Sequence, residues 1–358
     1  MFWKASLGTL SLLFSIVATA DARVPVRATY TNPVIDADFP DPDVISGPDG
    51  SYYAYATQTQ RNGRWIDIQI ARSTDLVHWR YLGDALPMKP RWAANTQDFW
   101  APDVVREGRQ YLLYFSAKPD ASVSDPKQGM CLGVATASSP AGPFTDIGHP
   151  LQCGEGFVNI DPTEFDDPAT GKHWLYWGSG FAPIKVQELA PDLLSFARGS
   201  SPINLVAPNP VKGAFPVLVE GSWVVRHDGW YYLFYSGDNC CGPKANYAVM
   251  VARSRSATGP FETLEQANGT PHSIILKKSS RFVAPGHNST VTDRAGRDWI
   301  IYHAVDAHRP RDKAEDGLNT RRVLLIDRIR WQRGWPVISP PSADPKPAPA
   351  SRSRRQRN

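Results

Sequence analysis

The sequence predicts an all-β fold, a five-bladed β-propeller with four-stranded blades around a central channel. Three observations carry that prediction. Helical periodicity is nearly absent from residue 30 to residue 338, where short aromatic and β-branched runs alternate with Gly, Pro, Asn and Asp. One aromatic phrase recurs as SYYAYAT from Ser51, QYLLYFS from Gln110, HWLYWGS from His173, WYYLFYS from Trp230 and DWIIYHA from Asp298, at intervals of roughly 60 residues. Each copy follows a glycine-containing turn, and most are followed by a second phrase: IQIARSTDLVHW, LGVATASSPAGPF, YAVMVARSRSATGPF and, more loosely, RVLLIDRIRWQRGWP. A strand, a turn and an aromatic that opens the next strand give about four strands per unit, which is a propeller blade. A β-sandwich of similar composition would not require the regular interval.

Along the chain, residues 1–22 come first: a lysine near the start, an apolar run over residues 7–17, and small residues ending near Ala20 or Ala22. That is the pattern of a cleaved signal peptide, and the apolar run is short for a membrane span. The mature protein is expected to be soluble, monomeric, and secreted or periplasmic, with no membrane partner. Residues 30–338 form the predicted propeller, and 42% apolar content is ample for its core. Residues 339–358 run from PPSADPKPAPAS into an arginine cluster at Arg352, Arg354, Arg355 and Arg357, and are expected to be a disordered tail. With a net charge of only +4, that cluster reads as a frayed terminus, and no nucleic-acid partner is expected.

The four cysteines are Cys131, Cys153, Cys240 and Cys241. Cys131 with Cys153 is the favoured bridge, because adjacent cysteines bond each other only with strain. No CxxC pair or HExxH is present, so a zinc-centred hydrolase lacks its usual ligands. No phosphate-cradling glycine loop opens a helix, so no nucleotide cofactor is expected.

The repeat also places chemistry. The first strand of every propeller blade lines the channel, so matching positions ahead of the aromatic phrases converge from distant parts of the chain. Those segments are FPDPDVIS, WAPDVVRE, NIDPTEFDD, VEGSWVVRH and GHNSTVTD, and their polar members are Asp41, Asp103, Asp161, Glu220 and His287. Singly, an Asp-Pro is a turn and a lone histidine is structural. Acids in register with a repeat and beside apolar strand residues are costly to bury unless they are compensated or used. Paired carboxylates suit glycosidic hydrolysis, one protonated toward the leaving oxygen and one ionised to activate water. Phe39, Trp92, Phe99, Trp100 and Trp223 lie beside these acids and could stack on sugar faces or fill the blade cores.

TNPVIDADFPDPDVI, WAPDVV, IDPTEF, VEGSW with GWYYLFYS, and APGHNSTVTDRAGRDWIIYHA together resemble the blade openings of glycoside hydrolase family 43, over roughly residues 31–338. The resemblance implies that Asp41 is the general base, Asp161 the residue that tunes and positions the proton donor, and Glu220 the general acid. It places His287 on the propeller axis, where relatives often hold calcium, so a structural Ca2+ is an optional cofactor and none is required. Phe39, Trp100, Asp103, Trp223 and Arg322 are expected to contact substrate. Departures from the family pattern are Ser222 in place of a common proline, Asp38 and Asp43 flanking Asp41, and Arg321 beside Arg322.

The implied chemistry is a single displacement with inversion, which needs roughly 6.5–9.5 Å between the two carboxyls. The implied function is a secreted hydrolase of α-L-arabinofuranosyl linkages in arabinan or arabinoxylan, with an oligo- or polysaccharide as its partner. The nearest rival is a β-xylosidase, many of which carry an extra C-terminal sandwich that this chain is expected to lack. A non-catalytic carbohydrate-binding propeller is the remaining alternative.

Overall fold

The structure is a computed structural model that describes residues 1–2, 28–211, 215–311 and 320–351. All but the first two residues of the predicted signal peptide, and the arginine cluster from Arg352 onward, lie outside the described residues.

Five antiparallel sheets stand in a ring, as the repeat predicts. Blade 1 comprises Asp43–Ser46, Tyr52–Ala56, Gln69–Ser73 and Trp79–Asp84. Blade 2 comprises Trp100–Glu107, Gln110–Ala117, Cys131–Ala137 and Thr145–Asp146, with Gln152–Cys153 beside the third strand. Blade 3 runs through Thr163–Asp167, Lys172–Trp177, Lys185–Glu188 and Ile203–Asn204. Blade 4 runs through Val219–His227, Trp230–Gly237, Ala248–Ser254 and Glu262–Thr263, with Ile274–Leu276 added.

Blade 5 departs from the expected four strands. Among the described residues, only Phe282–Thr292, Asp298–Asp306 and Arg322–Arg328 are hydrogen-bonded in its sheet, and RWQRGWP forms a separate hairpin. The N-terminal segment takes the outer place: Val34 N–H donates to Leu324 O at 2.9 Å and Leu324 N–H to Ile35 O at 3.1 Å. Asn32 extends the seam with both amide atoms, accepting from Ile326 N–H and donating to Ile326 O, each at 3.0 Å. The ring is therefore closed by pairing the start of the propeller against its last blade, which protects an otherwise open edge.

The expected disordered tail over residues 339–358 is corrected for residues 339–351, the rest lying outside the described residues. Lys346–Pro347 pairs with Thr29–Tyr30, Ala348 N–H donates to Ala28 O at 2.8 Å, and Ala350 N–H donates to Asp293 Oδ2 at 3.0 Å. Composition misled here because the segment contributes only small apolar residues to the core, with Pro341 and Pro349 buried and Ala343 and Ala348 packed against neighbouring clusters. It is held by backbone pairing and by the ion pair from Lys346 to Asp327, a buried carboxylate that needs a cation.

The aromatic phrases supply the packing between blades. Tyr55, Tyr114 and Tyr176 occupy matching places and are fully buried. Their hydroxyls donate to the carbonyls of Pro140, Leu193 and Ala257, so each ring fills the core without stranding its polar end. Cys131 and Cys153 form the expected bridge, joining residues that face each other across paired strands. Cys240 and Cys241 are bonded to each other.

Candidate active site

A residue with positive φ stands at matching places at the head of each innermost strand: Asp41 (53°), Ala101 (50°), Asp161 (59°), Gly221 (62°) and His287 (41°), with Ala284 (50°) a second one in blade 5. For residues other than glycine this conformation is unfavourable and persists only where surrounding bonds enforce it. Here the preceding blade enforces it. Ala101 N–H donates to Thr57 Oγ1 at 2.8 Å, Asp161 N–H to Ser116 Oγ at 3.0 Å, His287 N–H to Ser236 Oγ at 2.8 Å, and Asp41 N–H to His303 Nδ1 at 3.0 Å. Thr57, Ser116, Ser236 and His303 all stand at the ends of the recurring phrase.

Blade 4 breaks the rule. The place that Thr57 and Ser116 hold in blades 1 and 2 falls on Gly178 in blade 3, and Ser179 comes one residue later. Gly221 N–H is instead bound by Asp161 Oδ2 at 3.0 Å, and Ser179 Oγ donates to Glu220 Oε2 at 2.6 Å. Glu220 therefore sits one residue before the positive-φ position that Asp41, Asp161 and His287 occupy. Glycine also suits 221 sterically, since a Cβ there would lie a tight 3.1 Å from the His287 ring.

The same register moves Asp103. Ala101 holds the position of Asp41, and Asp103 stands two residues further on, equivalent to Asp43. Asp103 is buried and its Oδ2 accepts from Glu164 N–H at 2.8 Å, as Asp43 Oδ2 accepts from Val104 N–H at 2.9 Å. These acids strap neighbouring blades together, so the expectation that Asp103 contacts substrate is corrected. Phe39 is corrected too, being fully buried in the core between blades 1 and 5. Trp223 packs on the core between blades 4 and 5 and donates to Thr290 Oγ1 at 2.9 Å, so it serves that wall and does not offer a stacking face.

Asp41, Asp161, Glu220 and His287 do come together. Asp41 Oδ1 pairs with Arg322 at 3.0 Å and lies 3.4 Å from His287 Nδ1, and Thr57 Oγ1 donates to its Oδ2 at 2.6 Å. His287 Nδ1 is also 3.7 Å from Asp161 Oδ2. Glu220 takes Ser179 on one oxygen and the Tyr247 hydroxyl on the other, at 2.7 Å. Burial opposes ionisation of Asp41, but the Arg322 guanidinium and His287 outweigh it and hold this carboxyl well below the usual range. Burial raises Glu220 and the Asp41 charge adds to the rise, against the pull of the Ser179 and Tyr247 hydroxyls. Burial, with the Glu220 and Asp41 charges, pushes Asp161 up to about 7 against the attraction of His287. His287 is the counterpart: burial opposes its charge, but Asp161 and Asp41 raise it to about 9.

His303 was not foreseen as a site residue. Its Nδ1 accepts the Asp41 amide, which requires the neutral ring, and burial lowers its pKa to about 4. Tyr247 lies nearly parallel to it with centroids 5.8 Å apart, and so links the surroundings of Asp41 and Glu220. His303 stands one place before the Thr and Ser column of the aligned phrases, which falls on Ala304, so only the register of the paired strands brings it into line. Tyr247 had no signal in the sequence.

A cleft of about 560 Å³ adjoins Asp41, while Asp161, Glu220 and His287 are not among its lining residues. Thr57 and Arg322, which both touch Asp41, open onto it, as does Asp38, which accepts from Arg322 N–H at 2.9 Å. Trp65 and Trp100 stand on its walls, which places Trp100 where a sugar could stack. Arg321, the competing arginine, is buried and pairs with Asp36.

An axial cation would need oxygen ligands. Asn288 Oδ1, Ser289 Oγ, Ser222 Oγ and Asp43 Oδ1 are buried oxygens on the innermost strands with no protein partner. Such oxygens fit a hard cation or ordered water. His287 fits less directly, because its carboxylate neighbours favour the proton that a metal would displace.

The sequence pattern described as "Glycosyl hydrolases family 43" matches residues 30–336. The chain is 27% identical to the extracellular exo-α-(1→5)-L-arabinofuranosidase ArbA of Cellvibrio japonicus, with 77% of this chain and 82% of that protein covered. It is 26% identical to the extracellular endo-α-(1→5)-L-arabinanase 1 of Bacillus subtilis, covering 93% and 98% respectively. Among solved structures it resembles a thermostable family-43 glycoside hydrolase with a TM-score of 0.72 at 27% identity, covering 90% of this chain and all of the other.

Proposed function

The chain belongs to glycosyl hydrolases family 43 and hydrolyses O-glycosyl bonds, and from that premise we propose that it is an exported hydrolase of α-L-arabinofuranosyl linkages in arabinan-type polysaccharide, acting with inversion. The observation that carries the proposal is the opposite setting of two neighbouring carboxyls: Asp41 among cations and Glu220 among hydroxyls. Asp41, ionised, takes a proton from the attacking water, and Glu220, protonated, gives one to the departing glycosidic oxygen in the same displacement. Asp161 binds the Gly221 amide and so steadies the peptide after Glu220, while its charge disfavours ionisation of Glu220. Arg322 and His303 aim Asp41, one at its carboxyl and one at its amide. The choice of arabinose rests on the names of both curated relatives, and export rests on the signal-like N-terminus together with those relatives being extracellular.

His287 as an imidazolium supplies positive charge between Asp41 and Asp161. A calcium ion held by the unpartnered oxygens and His287 would supply the same charge, and activity after chelation compared with activity after calcium addition tests that role. For the function itself, the mature protein is assayed on aryl α-L-arabinofuranoside, aryl β-D-xyloside and linear arabinan, beside Glu220→Gln. Arabinoside cleavage that disappears in the variant, releasing the inverted anomer by NMR, is expected. Cleavage of the xyloside alone makes the protein a β-xylosidase, and arabinan binding without cleavage of any substrate makes it a binding module.

A further inference from the structure

The Cys240–Cys241 bridge has no part in the chemistry above, yet it lies on the cleft. It sits in the turn over residues 238–247, between the second and third strands of blade 4. Cys241 and Gly242 form one wall of the same 560 Å³ cleft that Trp65, Trp100 and Arg322 line. Both cysteines are half-buried, and Cys241 lines the cleft directly. We propose that this disulfide is a sugar-binding platform whose sulfur face packs against the C–H face of an arabinofuranosyl residue.

Three observations support this beyond the position of the bridge. First, Asp38, Gln58, Gln60 and Asp98 offer the cleft hydroxyl-binding groups, and a furanose ring also needs an apolar surface to lie on. A bonded sulfur pair is soft and polarizable and has lost its S–H donors, so it presents such a surface on a main-chain turn. Second, the turn is braced before any ligand arrives. Gly242 N–H donates to Thr320 Oγ1 at 2.6 Å, and Asn239 O accepts from Asn246 N–H at 3.0 Å and Tyr247 N–H at 3.1 Å. A platform held this firmly loses little freedom on binding. Third, the turn ends at Tyr247, whose hydroxyl holds Glu220 Oε1 at 2.7 Å. A sugar resting on Cys241 is thus located relative to the proton donor by six residues of chain.

The proposal rests on the arabinan reading, and its test separates the two. Wild type, C240S/C241S and C240A/C241V are compared on linear arabino-oligosaccharides, with Cys131–Cys153 left intact. The serine pair, which replaces an apolar face with hydroxyls, is expected to raise KM about 5- to 10-fold, on the scale of a few tens of Å² of apolar contact, with kcat within about twofold. The Ala/Val pair restores much of that loss although the bridge is gone. An unchanged KM in the serine pair overturns the platform. Equal losses in both pairs, or a fall in kcat with unchanged KM, also overturn it and make the bridge a brace for Tyr247. A wild type that cleaves no α-L-arabinofuranoside sinks the functional reading and the platform with it.

Discussion

Asp41 and Glu220 stand at the openings of blades 1 and 4, answer to the same repeat, and have opposite surroundings. Asp41 sits on the positive-φ residue of its strand and faces Arg322, His287 and Thr57. Glu220 sits one residue before that position and is hydrogen-bonded by the hydroxyls of Ser179 and Tyr247, with no arginine beside it among the described groups that act on it. The repeat therefore decides where a carboxyl is delivered, and the neighbouring blade decides whether it keeps its proton. In blade 1 the neighbour is His303 with Arg322. In blade 4 it is Ser179, displaced by the extra Gly178. Two carboxyls whose environments push them apart are the usual mark of a base and an acid sharing one site.

The comparison breaks most visibly if the two acids are neutralised separately. Asp41→Asn and Glu220→Gln are each expected to lower kcat by roughly 10²- to 10⁴-fold. The Glu220→Gln loss should shrink when the leaving group is a good one, such as dinitrophenol, because that group needs no proton; the Asp41→Asn loss should not. Steady-state rates on aryl arabinofuranosides of graded leaving-group acidity check this, and the opposite pattern exchanges the two roles. Next in size is Arg322→Met, expected to cost about 10-fold or more in kcat/KM on the scale of a buried charge partner. With the guanidinium gone, burial dominates at Asp41 and its carboxyl rises from its depressed position. A base must be deprotonated, so the acidic limb of the pH profile moves to higher pH. An unmoved limb would take Asp41 out of the role of base.

What the sequence made legible follows the same division. The blade order, and the convergence of Asp41, Asp161, Glu220 and His287, were readable because a period in sequence becomes a ring in space. Fine register was not. Asp103 looked equivalent to Asp41, but a step of two residues along the strand separates the carboxyl that joins the site from the one that straps a blade, and letters spaced by about 60 cannot resolve so small a step. Phe39 and Trp223 illustrate another limit: an aromatic beside an acid serves equally as core or as platform, and burial alone separates the two. The tail over residues 339–351 failed for a third reason, since backbone pairing on an exposed edge leaves almost no trace in composition.

A smaller test addresses the Glu220 side. Tyr247→Phe removes a donor that favours the ionised carboxylate, so the Glu220 carboxyl rises further. The general acid must hold its proton, so the alkaline limb of the pH profile should move to higher pH, with a loss in kcat of about threefold to tenfold from looser positioning. Movement to lower pH would mean that the hydroxyl accepts from Glu220 and that the acid's environment has been assigned the wrong polarity.

The smallest effect lies two residues along each strand, where Asp43, Asp103 and Thr163 strap one blade to the next. Thr163 Oγ1 donates to Ser222 O at 2.6 Å, and this neutral bond is expected to contribute about 1 kcal/mol, independent of pH, as read from Thr163→Val in denaturant melts. The acid straps behave differently. Burial raises Asp43 from 3.8 to about 7 in the folded protein, so the fold binds this proton more tightly than the unfolded chain does. That contribution to stability is fully present below about pH 4 and is lost as the pH rises through about 7. Asp43→Asn keeps a carbonyl oxygen for Val104 N–H and cannot ionise, so it should flatten the fall in Tm across that window. An unchanged slope would mean that Asp43 is compensated while charged, and the unpartnered oxygens of Ser289 and Asn288 beside the axis would then be the place to look for the compensating group.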